Sequence, residues 1–438
     1  MSDEPANHSS QLLPDESHKR SLTRVILRIC LPALLWTFIA VAAPVFVNQI
    51  RHQDRAIQED FAVYYYPALE MRKGINPYTT DFTRAAQTSG LNIHAISHSN
   101  EPPTFLVFLI EPLTHLPIRT AYLIWQATNL TCFAVAMVIL LGRGTGLAPW
   151  QALTLAALAT LYPAVASVFW FGQSKLIALV LLVIAMRLIE KQRPHPAGFT
   201  LALVAMLRGF PFVLAGYLLL QQRRRVLLAA ITGVAIIGIV TIRVAGIAIC
   251  LSFVSALPTI YVDQWNSMRR DFSIYFVISR QIWAISRSPG VALDLLRHLL
   301  IMSGDFLVVA TTCRATLMVP KQNDPDSRIF SLWVATAIFL LPVAWDHDLT
   351  LMLIPFSQLA VVASRGEASR RAIAMAVLSY VLLFWWEYVS LSANECGFIS
   401  MLTAYLSAYW LAVDQSGAVR LPIRAMPAEI WRRLMPAI

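Results

Sequence analysis

The sequence predicts an all-α protein that crosses a membrane many times, and three observations carry that expectation. Apolar residues make up 57% of the 438 and charged residues only 14%, well below the roughly 25% charged of a soluble globular chain. With a mean hydropathy of +0.59, the solvent for most of the chain is lipid. Mostly apolar runs recur at roughly 17 to 25 residues, enough to cross about 30 Å of hydrocarbon as helix. The basic residues punctuate these runs and form no single patch interleaved with aromatics, which excludes a nucleic-acid surface despite a formal net charge of +10.

The first run covers about 26–47. A polar leader of some 24 residues precedes it and no small-residue cleavage pattern follows, so it reads as a span and not as a signal peptide. Further runs lie at about 121–141, 148–170, 174–189, 226–250, 292–318, 328–344, 348–364, 371–391 and 398–413. Between 196 and 222, Arg208, Gly209 and Pro211 break an apolar stretch into two short or re-entrant helices, giving about twelve segments.

Basic loops orient such a chain. They are the leader with Lys19, Arg20, Arg24 and Arg28; Arg143; 190–193; 221–225; Lys321 with Arg328; 365–371; and a tail with Arg420, Arg424, Arg432 and Arg433. Twelve crossings place all of them on one side, the cytoplasm, with both termini. The expected organisation is a disordered leader over 1–24, a transmembrane domain over 25–415, and a basic tail over 416–438 suited to anionic lipid.

The same count leaves four polar regions on the opposite face. They are a long loop at about 48–120, "FGQSK" at 171–175, "QWNSMRRDFS" within 251–290, and "WDHD" at 345–348. A group-transfer enzyme outside the cytoplasm lacks nucleotide-activated donors, so a membrane-borne lipid phosphate is the natural donor. Lys175, Arg208, Arg269 and Arg270 are the cations that could hold its phosphate, arginine by a planar fork. Arg208 interrupts an apolar run, where charge is expensive and marks function, although a snorkelling interface residue reads the same way. For Arg269 and Arg270 a solvated loop charge is the competing reading.

Other patterns carry less. Cys30, Cys132, Cys250 and Cys313 lie in or beside apolar runs and Cys396 in an outer loop, with no disulfide or metal spacing. No phosphate loop, dinucleotide fingerprint or HExxH helix occurs. His94 and His98 in "HAISH" sit among loop-forming residues, and Asp-x-Asp appears both at "DHD" and at "DPD" over 324–326. No metal or cofactor is expected.

The stretch "EDFAVYYYPALEMRKGINPY" at 59–78 resembles the first outer loop of glycosyltransferase family 87. The resemblance continues in order through "NEPPTFLVFLIEPLTHLPIRTAYLIWQATN", "FGQSKLIALVLL", "LVAMLRGFPFVLAGYLLLQQRRRV", "QWNSMRRDFSIYFVISR" and "LPVAWDHDLTLMLIP", over residues 25–365. It implies a C-type glycosyltransferase fold with outer juxtamembrane helices. The implied donor is a polyprenyl-phosphate sugar, typically mannose, and the acceptor a lipid-linked or extracellular glycan. Asp60 matches the base that deprotonates the acceptor for an inverting attack, its competing reading being a helix cap near Phe61. His347 would contact the donor phosphate, the acceptor or Asp60, its competing reading being a wetted interface residue; the family often has a second His where this chain has Asp348. Tyr64 and Tyr65 would form a sugar-stacking wall, unless they are only an interfacial aromatic belt. Gln173, Asn266 and Asp346 complete the implied substrate contacts; Glu101 before Pro102 and Pro103 would orient an acceptor, its competing reading being an ordinary loop carboxylate. A monomer in the bacterial inner membrane is expected, with the site on the extracytoplasmic face that the basic loops define. A secondary transporter is the main competing class, with the 196–222 break as its site; a non-catalytic scaffold is the third.

Overall fold

The computed structural model describes residues 60–80, 102–142, 145–267, 271–286, 290–319, 327–389 and 394–413, all within the compact unit Gln49–Ile438. The leader, the run at 26–47 and the tail lie outside them. Among the described residues there is no strand. The helices are α1 Ala62–Arg72, α2 Thr104–Ile110, α3 Ile118–Leu141, α4 Pro149–Thr160, α5 Pro163–Phe171, α6 Lys175–Glu190, α7 Pro194–Leu207 and α8 Leu214–Leu220. They continue as α9 Arg224–Ala245, α10 Ile247–Ser267, α11 Ile274–Ile285, α12 Val291–Met318, α13 Arg328–Phe339, α14 Leu353–Ser364, α15 Arg370–Val389 and α16 Asn394–Val413. Short 3₁₀ turns at Phe210–Val213 and Asp346–Met352 join α7 to α8 and lead into α14.

Proline in the first turn opens α4, α5 and α7, where its missing N–H has no intrahelical partner to lose. α6 and α13 form the middle of the bundle. Leu176, Leu179, Leu182 and Val183 on α6 and every residue from Arg328 to Phe339 on α13 are buried. α6 packs against α3 and α7, α7 against α9, and α13 against α16. Leu228, Ile231 and Ile239 of α9 and Met302, Phe306 and Leu307 of α12 are exposed instead. A soluble monomer rarely shows so wide an apolar surface; facing lipid it is the expected outer layer.

Among the described residues four helices are long and apolar enough to cross a membrane: Ile118–Leu141, Arg224–Ala245, Asp346–Ser364 and Cys396–Val413. The pair α4 and α5, bent by 52°, makes a fifth if it is one span. This is fewer than the expected twelve, and the reason is visible in the central helices. At 1.5 Å per residue, α7 with 14 residues and α13 with 12 reach only about 21 and 18 Å. Neither alone covers the roughly 30 Å of hydrocarbon that a single span must cross. Two further expectations change. The run at 226–250 is not one segment, because Gly246 at φ +90° ends α9 before α10 begins, and the loop expected over 251–290 is largely helical. Cys396 lies in the first turns of α16, not in a loop.

The helices nevertheless alternate between two ends as the basic loops predict. At one end Ser327 donates to Glu190 at 2.5 Å, Arg223 to Gln192 at 3.2 Å and Arg365 to the Thr145 carbonyl at 3.4 Å, while Arg328 lies 3.6 Å from Glu367. α6, α7, α9 and α13 each carry one terminus there and the other toward a shared cavity. In a cysteine-free background, Gln192→Cys and Gly209→Cys should therefore react with an impermeant thiol reagent from opposite membrane faces. Labelling of both from one face would contradict the alternation.

Candidate functional site

α5 ends where Gly172 takes the left-handed conformation, φ +72°. A Cβ there would sit 3.0 Å from Phe61 Cβ and 3.3 Å from Tyr122 Cε2, so both the turn and the close approach need glycine. Trp125 Nε1 donates to the Gly172 carbonyl at 2.7 Å, and α6 starts three residues later. Gln173, Ser174 and Lys175 are thereby presented as a fixed, buried triplet. From the other side Phe61 wedges its ring against Tyr122 and Trp125, with centroids 5.4 and 6.2 Å apart. That anchor brings Asp60 to Gln173.

Gln173 is the hub. Its Nε2 donates to Asp60 Oδ2, while its Oε1 accepts from the Tyr64 hydroxyl at 2.5 Å and from Arg208 Nη2 at 2.6 Å. Arg208, where α7 breaks, also reaches the Tyr64 oxygen at 2.8 Å and Ser174 Oγ with Nε at 3.1 Å and Nη2 at 2.8 Å. The helix-cap reading of Asp60 fails, because the N-cap of α1 is Phe61 with no side-chain cap bond. Burial pushes the Asp60 carboxyl above its ordinary 3.8, against the pull of His347, the Gln173 hydrogen bond and Arg208. Burial likewise pushes the Tyr64 phenol up to about 12, so it stays a proton donor to Gln173.

The turn beginning at Trp345 forms the facing wall. Lys175 Nζ is bonded to Asp348 Oδ1, with both side chains at most 6% exposed, and the Trp345 amide donates to Asp348 Oδ2 at 3.0 Å. His347 lies on the Trp345 ring, centroids 5.6 Å apart and planes 21° apart, with Phe171 at 6.2 Å. Asp346 sits behind it: Oδ2 accepts from Ser167 Oγ at 2.8 Å, and Oδ1 accepts the His347 amide at 2.9 Å and lies 3.4 Å from His347 Nδ1.

These two walls enclose a cavity of about 700 Å³, a volume typical of small-molecule sites. One end carries Asp60, Tyr64, Gln173, Lys175, Arg208, His347 and Asp348; Met206, Phe212, Ile242, Phe253, Val254 and Leu257 make another wall apolar. Asp346 and Tyr65 do not line it. Tyr65 donates to the Leu116 carbonyl at 2.7 Å, and Asp346 supports His347 instead of facing a substrate. Glu101, Arg269 and Arg270 lie outside the described residues, as do His94 and His98, and the side chain of Asn266 is not described. Asp348, singled out in the sequence only as a departure, proves to line the site. Among the described residues no group of three His, Cys, Asp or Glu is placed to hold a metal.

A polytopic helical scaffold with this polar cavity fits more than one enzyme class, and comparison with known families decides between them. The family model of glycosyltransferase family 87 matches residues 101–342. The chain belongs to glycosyltransferase family 87. No curated protein matches it. The family 87 match includes Gln173, Lys175 and Arg208 but not Asp60 or the turn at 345–348; the structure joins those outlying residues to the matched frame. Family membership makes this a membrane glycosyltransferase, and the transporter and scaffold readings give way.

The buried ion pair yields a stability test. Removing one partner of such a pair costs roughly 3–5 kcal/mol, whereas replacing both with apolar groups is far milder. Lys175→Met should lower the thermal midpoint of the detergent-solubilised protein, and Lys175→Met with Asp348→Leu should recover most of that loss. Additive losses in the double variant would show that the pair is not coupled.

Proposed function

We propose that this chain transfers a hexose, mannose as the leading candidate, from a polyprenyl-phosphate donor to a lipid-linked or extracytoplasmic glycan acceptor with inversion. The observation that carries the reading is the pairing, in one cavity, of a buried carboxylate with raised proton affinity and an arginine whose hydrogen bonds go to neutral oxygens. Asp60 takes the proton of the acceptor hydroxyl. The acceptor oxygen attacks the anomeric carbon, the bond from that carbon to the phosphate oxygen breaks, and the phosphate leaves with the electron pair. A phosphate monoester carries this pair without prior protonation, so one base is enough where glycosidases use two carboxyls.

The donor is a phosphodiester with one negative charge, and the departing monoester gains another. Arg208, held by Tyr64, Gln173 and Ser174, keeps its charge available for that phosphate, while Lys175 is already engaged by Asp348. The apolar wall of Phe212, Ile242, Phe253 and Val254 suits the first isoprene units. His347, stacked on Trp345 and steered by Asp346, faces the same space and orients donor or acceptor. In this reading the fold is the C-type glycosyltransferase bundle with about twelve segments. The basic end faces the cytoplasm of a bacterial inner membrane and the cavity opens to the outer side.

Purified protein should transfer radiolabelled mannose from synthetic polyprenyl-phosphate mannose, and Asp60→Asn should lower the rate by about 10²–10⁴-fold, the usual worth of a general base. Equal transfer by the variant would sink the role of Asp60, and no transfer by the wild type would sink the donor. The working form of Asp60 is the carboxylate, and its folded-state pKa is raised. Activity should therefore be full above that value and fall as pH drops through it, with an acid limb lying above 3.8. A limb at or below 3.8 would place the titrating group elsewhere.

A further inference from the structure

Outside the cavity one buried carboxylate has no part in the chemistry above. Asp271, fully buried, begins the three-residue stretch before α11. Its Oδ1 accepts from the Ser273 amide at 2.8 Å, and also from the Ala344 amide at 3.0 Å, 73 residues further along the chain. The Phe272 amide donates to the Ala344 carbonyl at 2.7 Å. Both polar groups of the Ala344 residue are thus held by the Asp271–Ser273 stretch. The stretch itself is anchored: Ser273 Oγ caps α11 by accepting from the Phe276 amide at 3.2 Å, and the Phe272 ring lies so close to Gly397 that a Cβ there would fall 2.2 Å from it.

What Ala344 leads into is the catalytic wall. The next residue, Trp345, supplies the ring under His347 and the amide that holds Asp348, which in turn holds Lys175. Between the end of α13 and the turn at Asp346 the backbone is neither helix nor strand, so its buried N–H and C=O groups need outside partners. We propose that Asp271 is a positioning residue of the transferase, clasping Ala344 so that Trp345, His347 and Asp348 stand in register with Lys175 and Asp60.

The clasp needs an acceptor oxygen and not a charge. Burial pushes the Asp271 carboxyl up to about 6, and the nearby charge of Asp348 acts in the same direction. Among the described residues Oδ2 has no hydrogen-bond partner, so a proton carried there leaves Oδ1 accepting both amides. Asparagine, whose amide oxygen replaces Oδ1, preserves the clasp; alanine removes it.

The activity arm of the test rests on the proposed transfer reaction, so a second arm does not. Hydrogen exchange measured by mass spectrometry on the detergent-solubilised protein should show faster exchange over 343–348 in Asp271→Ala, with wild-type protection in Asp271→Asn and in α6 of both variants. In the transfer assay Asp271→Ala should lower kcat by about 10–100-fold, the effect of misplacing a reacting group by about an ångström, with KM for the donor little changed. Asp271→Asn should keep kcat within about threefold and retain the wild-type acid limb. Unchanged exchange at 343–348 in the alanine variant would overturn the clasp whatever the enzyme's substrate. An asparagine variant as slow as alanine, or lacking the acid limb, would overturn it in favour of a chemical role for the carboxylate. Were Asp271→Ala not to fold, the asparagine variant alone would still decide, by both readouts. Failure of wild-type transfer with the exchange result intact would fault the donor assignment and leave the clasp standing.

Discussion

A single amide side chain sets the terms of this site. Gln173 gives its N–H to Asp60 and receives Arg208 and the Tyr64 hydroxyl on its oxygen. A buried carboxylate and a half-buried cation bonded to the same amide would gain most by pairing directly, and a direct pair would weaken both. The base would lose proton affinity and the cation would lose its attraction for a phosphate. The neutral bridge links them without merging their charges, and burial still raises the Asp60 pKa against the pull of His347, the Gln173 hydrogen bond and Arg208. Across the cavity the opposite choice is made. Lys175 and Asp348 do pair directly, and their contribution is a fixed wall.

The scaffold follows from placing that amide. Gln173 can stand there only because Gly172 turns α5 sharply against Phe61 and because α6 begins at once. Arg208 can reach it only because α7 stops short and continues as non-helical backbone. α6, α7 and α13 are thus more than membrane spans, because each has one end at the cavity. Their ends reach the cavity, while neighbours such as α3 and α9 are long and apolar enough to cross a membrane. Backbone left without helical partners in such a setting must be satisfied by the protein itself, which is the part played by the Asp271 stretch at Ala344.

Much of this was legible in the sequence, for identifiable reasons. Apolar length and basic loops predict which ends meet, and the ends carrying Gln173, Lys175, Arg208 and His347 do converge on Asp60. Charge interrupting an apolar run singled out Arg208, and the structure places it on the cavity. What the sequence could not resolve depends on rotation and long-range pairing. Tyr64 and Tyr65 are one residue and about 100° apart on a helix, so one lines the cavity and the other turns to Leu116. Asp346 and Asp348 flank the same histidine, yet one lies behind the site and the other within it. Asp271 has no local pattern at all, because its partner is 73 residues away. Gly246 divides α9 from α10 through a backbone angle that composition does not reveal.

The central claim is that one base drives a direct displacement, with the phosphate departing toward Arg208. The stereochemistry of the product tests it most directly. Proton NMR of the glycoside formed from a donor of defined anomeric configuration should show the opposite configuration at the anomeric carbon. Retention would require either two successive displacements through a covalent sugar–enzyme intermediate or attack from the leaving-group face, and would contradict the account.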